Sequence, residues 1–302
     1  MTKSKTLLSA ARLRTLPLSV SGIIVGSAIA FSEGYYNLYV LIFALTTTVG
    51  LQILSNFAND YGDGVKGTDN MDRVGPVRAI QSGVITNKEM LSAIVVTVVL
   101  TIISAIVLIY FAFRGNNFTY SLFFFLLGIA AVVAAIKYTV GNSAYGYSGF
   151  GDVFVFIFFG LVSVAGSYFL YTQNMNPDVL LPAFSIGLLS VGVLNLNNMR
   201  DMESDKKAGK HTLVVKIGAG KAKQYHYIIL ILAMFFGFIY LLFNYRSLIN
   251  LLFLISYIPI ILHLRRVYVN KNAKTLDPEL KKLALSTFFF AILFLLSYNI
   301  FL

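Results

Sequence analysis

Between Asn56 and Arg78 the chain reads NFANDYGDGVKGTDNMDRVGPVR, directly after an apolar run. On a helix that continues to Asp63, the residues Asn56, Asn59, Asp60 and Asp63 recur at i, i+3, i+4 and i+7 and share one face. Four oxygen-bearing side chains on one face suit a hard cation such as Mg²⁺. Gly62, Gly64 and Gly67 are expected to break the helix there. Lys66, Asp69, Asp72, Arg73 and Arg78 would then share a turn-rich loop. Carboxylates and cations in one loop are what a metal-bound phosphate ligand requires.

A second acidic stretch, NLNNMRDMESDKKAGK, runs from Asn195 to Lys210. Its Asn197, Asp201 and Asp205 climb one helix face at i, i+4 and i+8, and the Asn56 to Asp60 spacing recurs in Asn197 to Asp201. Both stretches close an even-numbered apolar segment. Two similar four-helix halves would therefore set them face to face across a central cavity. Opposed carboxylates repel unless cations lie between them; two or more Mg²⁺ ions would balance them and leave coordination positions for a diphosphate. The competing account is a pair of solvated loops whose acids pair with local Lys and Arg. That account is preferred for Lys216, Lys221 and Lys223, and for Asp72 and Glu203, which lie off the stripes.

The elements that must position these residues follow from composition. Of 302 residues, 57% are hydrophobic and 12% charged, with a mean hydropathy of +0.76; a soluble domain carries roughly 25% charged residues. The chain reads as an integral membrane protein, with one membrane domain over residues 1–302. Absence of cysteine excludes disulfides and thiolate metal sites, and His211, His226 and His263 show no metal-ligand spacing. Nine segments are long and apolar enough to span a bilayer: 16–32, 38–58, 90–113, 118–137, 152–172, 179–198, 226–244, 247–264 and 283–301. The reading is an all-α bundle of nine transmembrane helices, two four-helix halves plus a ninth.

Sorted by side, all of the 24 Lys and Arg except Arg114 and Arg246 fall with the N-terminus, as do all of the 13 acids except Glu33 and Asp178. The positive-inside rule places the N-terminus and both acidic stretches in the cytoplasm. A net charge of +11 would suggest nucleic acid in a soluble chain; here it reflects topology, and no nucleic-acid partner is expected. Arg12 and Arg14 read first as topogenic anchors and second as holders of a diphosphate or an acceptor carboxylate. In the loop KYTVGNSAYGYSGFGD, Lys137, Tyr138, Tyr145 and Tyr147 could bind an acceptor or a phosphate, or the loop could be a glycine-rich turn with interfacial tyrosines. Asp152 reads as a helix N-cap or a catalytic group, and His211 as an incidental loop residue. The FVFIFFG and FFF runs read as packing or lipid-facing.

With these residues the chain resembles the UbiA superfamily of intramembrane prenyltransferases, whose NxxxDxxxD-type motifs lie on the second and sixth of nine helices. Asn197, Asp201 and Asp205 match the second motif in full. Asn59 and Asp63 match the first, where Gly67 and then Asp69 follow. NDYGDGVKGTDN with RVGPVRAIQSGVI looks like the branch that prenylates 1,4-dihydroxy-2-naphthoate in menaquinone synthesis; RLRTLPLS, YGYSGFGDVFVFIFFG and NNMRDMESDKKAGKHTLVVKIG add to the likeness.

The resemblance implies Mg²⁺-dependent transfer of a polyprenyl chain from its diphosphate to that acceptor, with loss of carbon dioxide, giving demethylmenaquinone. It also implies a membrane-lipid environment, in a bacterial inner membrane. Asn59, Asp60, Asp63, Asp69, Asn197, Asp201 and Asp205 would hold metal and diphosphate. Lys66, Arg73, Arg78, Lys206 and Lys210 would neutralise the leaving group. Alternatives are prenylation of 4-hydroxybenzoate or homogentisate and, from another class, a divalent-cation transporter.

Overall fold

The computed structural model describes residues 2–68 and 78–300. Among these residues the chain is all helical, with nine helices long and apolar enough to cross a membrane: α1 Lys3–Ser32, α2 Leu38–Lys66, α3 Asn87–Phe113, α4 Phe118–Lys137, α5 Gly151–Thr172, α6 Pro177–Lys207, α7 Leu213–Phe243, α8 Leu248–Val269 and α9 Asp277–Asn299. The protein is an integral membrane bundle, as its hydropathy requires. Asp69 and Arg73, with Asp72, lie outside the described residues.

Helix starts follow local chemistry. The Asn37 and Asn117 side chains accept backbone N–H bonds at the starts of α2 and α4, and Thr86 with Glu89 forms a reciprocal capping box at α3. Besides α7, which kinks at Gly218 with a φ of 81°, three elements depart from regular α-helix. α1 is interrupted by a tight turn at Leu13–Thr15, where Arg12 takes a left-handed φ of 51°. α5 is wound as a π-helix over Phe156–Gly166, and α8 opens with a 3₁₀ segment, Leu248–Ser256. α7 begins well before the expected residue 226, so Lys216, Lys221 and Lys223 stand on its helical extension rather than in a loop.

The expected break at Gly62 and Gly64 does not occur. α2 runs through both and ends at Gly67, whose φ of 70° closes the helix with bonds to Asp63 and Gly64 carbonyls. Gly62 serves another purpose: a Cβ there would stand 2.7 to 2.8 Å from Thr139, so only glycine lets the segment after α4 seat on α2.

Two helices are central. About 67% of the apolar windows of α1 and α6 is buried inside the bundle, against 17% for α3 and α4, whose outward faces meet lipid. α1 packs on α9, α6 on α7 and α5, and α2 on α3. The hairpins α2–α3 and α6–α7 are both extensively packed, and α2 and α6 each carry an acidic stretch at their C-terminal ends. A core of Val25, Ile29, Ile186, Phe253, Phe290 and Phe294 closes the opposite end.

Candidate active site

A single large cavity of about 540 Å³ occupies the middle of the described bundle, lined from α1 to α6, the 138–150 connection, the start of α7 and α9. One end is polar: Asn56, Asn59, Asp63, Arg78, Asn197, Asp201, Asp205 and Lys210 all reach it. Its depth is apolar, with Ile23, Ala44, Leu108, Ile109, Phe124 and Leu170 on the walls. Phe154, Phe158 and Phe159 also face it, so part of the FVFIFFG run is cavity wall rather than lipid surface.

The two acidic stretches meet. The Lys210 ammonium lies 3.4 Å from Asp63 of α2 and 4.0 Å from Asp205 of α6, bridging the halves. Asp63 also accepts from the Tyr147 hydroxyl at 2.7 Å and from Arg78 at 3.2 Å. On the α6 side Arg200 donates to both oxygens of Asp201, at 2.8 and 2.6 Å, to Asn197 at 3.0 Å, and to Asp277 at the start of α9. Three internal cations therefore hold the carboxylates in fixed places at low exposure, where a charge is expensive unless paired.

The α2 stripe divides. Asn59 and Asp63 line the cavity, and the Asn59 side-chain oxygen accepts from the Thr139 hydroxyl at 3.2 Å. Asn56 also lines it, but donates its amide to Ala11 O at 2.8 Å and so anchors the N-terminal turn. Asp60 is not on the cavity wall. It is 1% exposed, accepts from the Ala79 N–H at 3.0 Å and lies 3.6 Å from Arg78, so it seats the segment that carries Arg78. The reason is angular: i+4 on a 3.6-residue helix leads Asn56 by about 40°, enough to turn Asp60 toward the returning chain.

The other candidates take the following positions. Lys66 donates to Thr139 O at 2.8 Å and lies 4.0 Å over the Tyr147 ring, away from the cavity wall. Lys137 and Lys206 are exposed and outside the cavity. Tyr138 and Tyr145 line it, and Tyr145 donates to Ala134 O at 2.8 Å and stacks on Phe154. Burial raises both phenols above the ordinary value, with Tyr145 and then Asp152, Asp63 and Asp205 adding to the effect at Tyr138. Tyr147 meets the site through its hydroxyl, which bonds Asp63 and Thr68, its ring flanked by Lys66 and Lys210. Asp152 is buried in the first turn of α5, whose N-cap is Phe150. Glu203 is exposed and off the site, as expected.

Sequence reading missed Arg200 and Lys281, which line the cavity; Arg12 and Arg14, read first as anchors and second as ligand holders, line it too. Arg200 could have been found as the one arginine inside an acidic helical stretch. Arg12 and Arg14 read as anchors first because a basic N-terminus is the ordinary topogenic signal. Among the described residues no three acidic or histidine side chains converge as a ready-made metal cage. The donors Asn59, Asp63, Asn197, Asp201 and Asp205 are nevertheless all oxygen, which fits Mg²⁺ and not a soft metal.

A buried membrane cavity with opposed Asn/Asp stretches at one end and an apolar depth defines a class of lipid-tail transferases. Residues 19–294 match the UbiA prenyltransferase family, and the chain belongs to it. It is 42% identical over 282 residues to the 1,4-dihydroxy-2-naphthoate octaprenyltransferase of Escherichia coli (strain K12), covering 93% of this chain and 91% of that protein. In fold it is similar to a UbiA homolog from Aeropyrum pernix K1, with a TM-score of 0.69 at 16% identity over 92% of this chain and 96% of that one. It is likewise similar to a UbiA homolog from Archaeoglobus fulgidus bound to DMAPP and Mg²⁺, with a TM-score of 0.58 at 17% identity over 93% and 98%.

Proposed function

We propose that this protein transfers a polyprenyl chain from its diphosphate to 1,4-dihydroxy-2-naphthoate. The C–O bond to diphosphate breaks and its electron pair leaves with the diphosphate. The allylic carbon bonds to the ring, and the ring carboxylate leaves as carbon dioxide. Atoms and charge balance at the quinol level of demethylmenaquinone. The naphthoate substrate is carried over from the relative in Escherichia coli, and an eight-unit donor is the first to test.

The single observation that carries the reading is the division of the cavity. Carboxylates and cations gather at one end, and the remaining described wall is uncharged and mostly apolar, as a diphosphate head on an isoprenoid tail requires. Asn59, Asp63, Asn197, Asp201 and Asp205 would hold Mg²⁺, which when bound supplies charge neutralisation for the departing diphosphate. Arg78, Arg200 and Lys210 add fixed positive charge at the same end. Tyr138 and Tyr145 stay protonated, and Tyr145 donates its hydroxyl to Ala134 O. The Phe154, Phe158 and Phe159 faces shield an electron-poor allylic carbon and keep water away.

By the positive-inside rule the N-terminus and the polar end face the cytoplasm of a bacterial inner membrane. A transporter reading meets a plain obstacle: among the described residues the charged lining stops at one end, and only uncharged polar side chains such as Thr47, Ser163 and Ser167 lie deeper. Purified protein in detergent, given octaprenyl diphosphate, Mg²⁺ and equal amounts of 1,4-dihydroxy-2-naphthoate, 4-hydroxybenzoate and homogentisate, is expected to prenylate the naphthoate. Preference for either phenolic acid would reassign the acceptor. Consumption of no diphosphate would end the enzyme reading.

A further inference from the structure

Along α2 the cavity-facing residues change character in order: Asp63 and Asn59 at the charged end, then Asn56 and Gln52, then Thr48 and Ala44 in the depth. At 1.5 Å per residue Gln52 stands about 10 Å deeper than Asn59, on the border between the charged end and the apolar wall. Its orientation follows from its neighbours. Ala11 O accepts from Asn56 Nδ2 at 2.8 Å, which turns Asn56 Oδ1 the other way, and Thr15 Oγ1 lies 3.3 Å from the same nitrogen. The Asn56 oxygen in turn accepts from Gln52 Nε2 at 3.4 Å. This run of contacts fixes both amides and leaves Gln52, on the cavity wall, presenting Oε1, which accepts no hydrogen bond among the described residues.

A carbonyl oxygen at that depth in a membrane protein is costly unless a donor completes it. The prenyl donor supplies none, since its diphosphate is itself an acceptor and its isoprenoid tail has no polar hydrogen. A ring hydroxyl does. The level fits as well: the allylic carbon follows the diphosphate into the cavity, and the ring that attacks it must come within about 3.5 Å, between the charged end and the apolar depth. The amide is also one-sided. Where Asn56 corresponds to Asn197, Gln52 corresponds to Val193 of α6, which lines the cavity but is apolar. A group that served the diphosphate would be expected in both halves, because both acidic stretches face it.

We propose that Gln52 recognises the aromatic acceptor, its Oε1 accepting a hydrogen bond from one ring hydroxyl and holding the ring at the border of the two zones. The proposal rests on the transferase reading for its substrate. As the ring bonds the allylic carbon, positive charge spreads onto that hydroxyl and its bond to Oε1 tightens.

The test uses the full-length enzyme with Gln52→Met, which keeps the volume and removes the acceptor atom, and Gln52→Asn, which keeps the amide and withdraws it by one methylene. Loss of the hydrogen bond raises the KM for 1,4-dihydroxy-2-naphthoate about 5- to 20-fold in either variant, so the second reads the same if the first fails to fold. The KM for octaprenyl diphosphate stays within about twofold. Two competitive inhibitors, 1-hydroxy-2-naphthoate and 4-hydroxy-2-naphthoate, each lack one hydroxyl. The variants weaken one of them as much as they weaken the substrate and leave the other unchanged. Equal effects on the two inhibitors would overturn the assignment, as would a rise in the diphosphate KM. An unchanged KM for the naphthoate would overturn it too and make Gln52 a brace for Asn56.

If the unaltered enzyme prenylates no ring, the transferase reading is at fault rather than the subsite. Direct titration of 1,4-dihydroxy-2-naphthoate into the protein, which needs no turnover, then decides: weaker binding in Gln52→Met upholds the subsite, and unchanged or absent binding overturns it.

Discussion

At Asp63 three donors converge, the Tyr147 hydroxyl at 2.7 Å, Arg78 at 3.2 Å and Lys210 at 3.4 Å, from three different parts of the chain. Removing its charge should disturb all of them. Asp63→Asn is expected to lower kcat about 100- to 1000-fold, the scale of losing one electrostatic element of a transition-state site, with the fold retained by circular dichroism. Asp60→Asn, off the cavity wall, should cost less in kcat and more in stability. Equal losses would return Asp60 to the metal-binding set. Tyr138 and Tyr145, raised by burial, should give no ionisation limb below about pH 10, where an unperturbed tyrosine titrates. A rate profile of Tyr145→Phe with the same basic limb as the parent checks this. Asp63 and Asp205 were legible because carboxylates at helical spacing beside apolar runs have few bland explanations. The Arg200–Asp277 bridge was not, because Asp277 lies on a different helix and only packing brings the two together.

Among the elements, the connection from Tyr138 to Phe150 and the end of α2 stabilise each other. Thr139 donates to Ala58 O at 3.0 Å, Lys66 donates back to Thr139 O, and Gly62 leaves room for both. Gly62→Val should unseat that connection and cost about 1–3 kcal/mol in detergent unfolding, as overpacking does. A neutral effect would show that the connection is not held there.

Farther from the cavity, α6, α7, α8 and α9 are tied by a buried relay. Asn195 donates to His226 Nδ1 at 3.4 Å, the two Nε2 atoms of His226 and His263 are 3.0 Å apart, and His263 Nδ1 donates to Glu279 at 2.8 Å. This order fixes both tautomers, with His226 donating through Nε2–H to His263 Nε2. His263→Leu should cost about 1–3 kcal/mol of stability by leaving His226 Nε2 without its partner and removing one of the donors to Glu279, which keeps Lys282, while kcat/KM in the surviving protein stays near the parent's. A selective loss of kcat would give the relay a catalytic part. The histidines show no motif spacing, so nothing local announced their meeting. The π-winding of α5 was equally hidden, since hydropathy reads length and not hydrogen-bond register.

For the whole molecule, nine spans were legible because a bilayer imposes one length and one polarity on every crossing. Helix ends were not, since α2, α6 and α7 continue past their apolar runs on polar sequence that tertiary contacts hold helical. Absence of native cysteine makes the topology directly testable. In intact bacterial cells, Asn116→Cys should react with a membrane-impermeant maleimide and Ser4→Cys only after permeabilisation; the reverse pattern would invert the bundle.

The central claim joins one cavity, one acceptor and the acidic pair. The most direct measurement supplies octaprenyl diphosphate, Mg²⁺ and 1,4-dihydroxy-2-naphthoate labelled in its carboxyl carbon, and follows prenylated quinol and labelled carbon dioxide together. The expected result is equal amounts of both, abolished by chelator, restored by Mg²⁺ and absent in Asp63→Asn and Asp205→Asn. Prenylated product that retains the label, or turnover undiminished in both variants, would contradict the account.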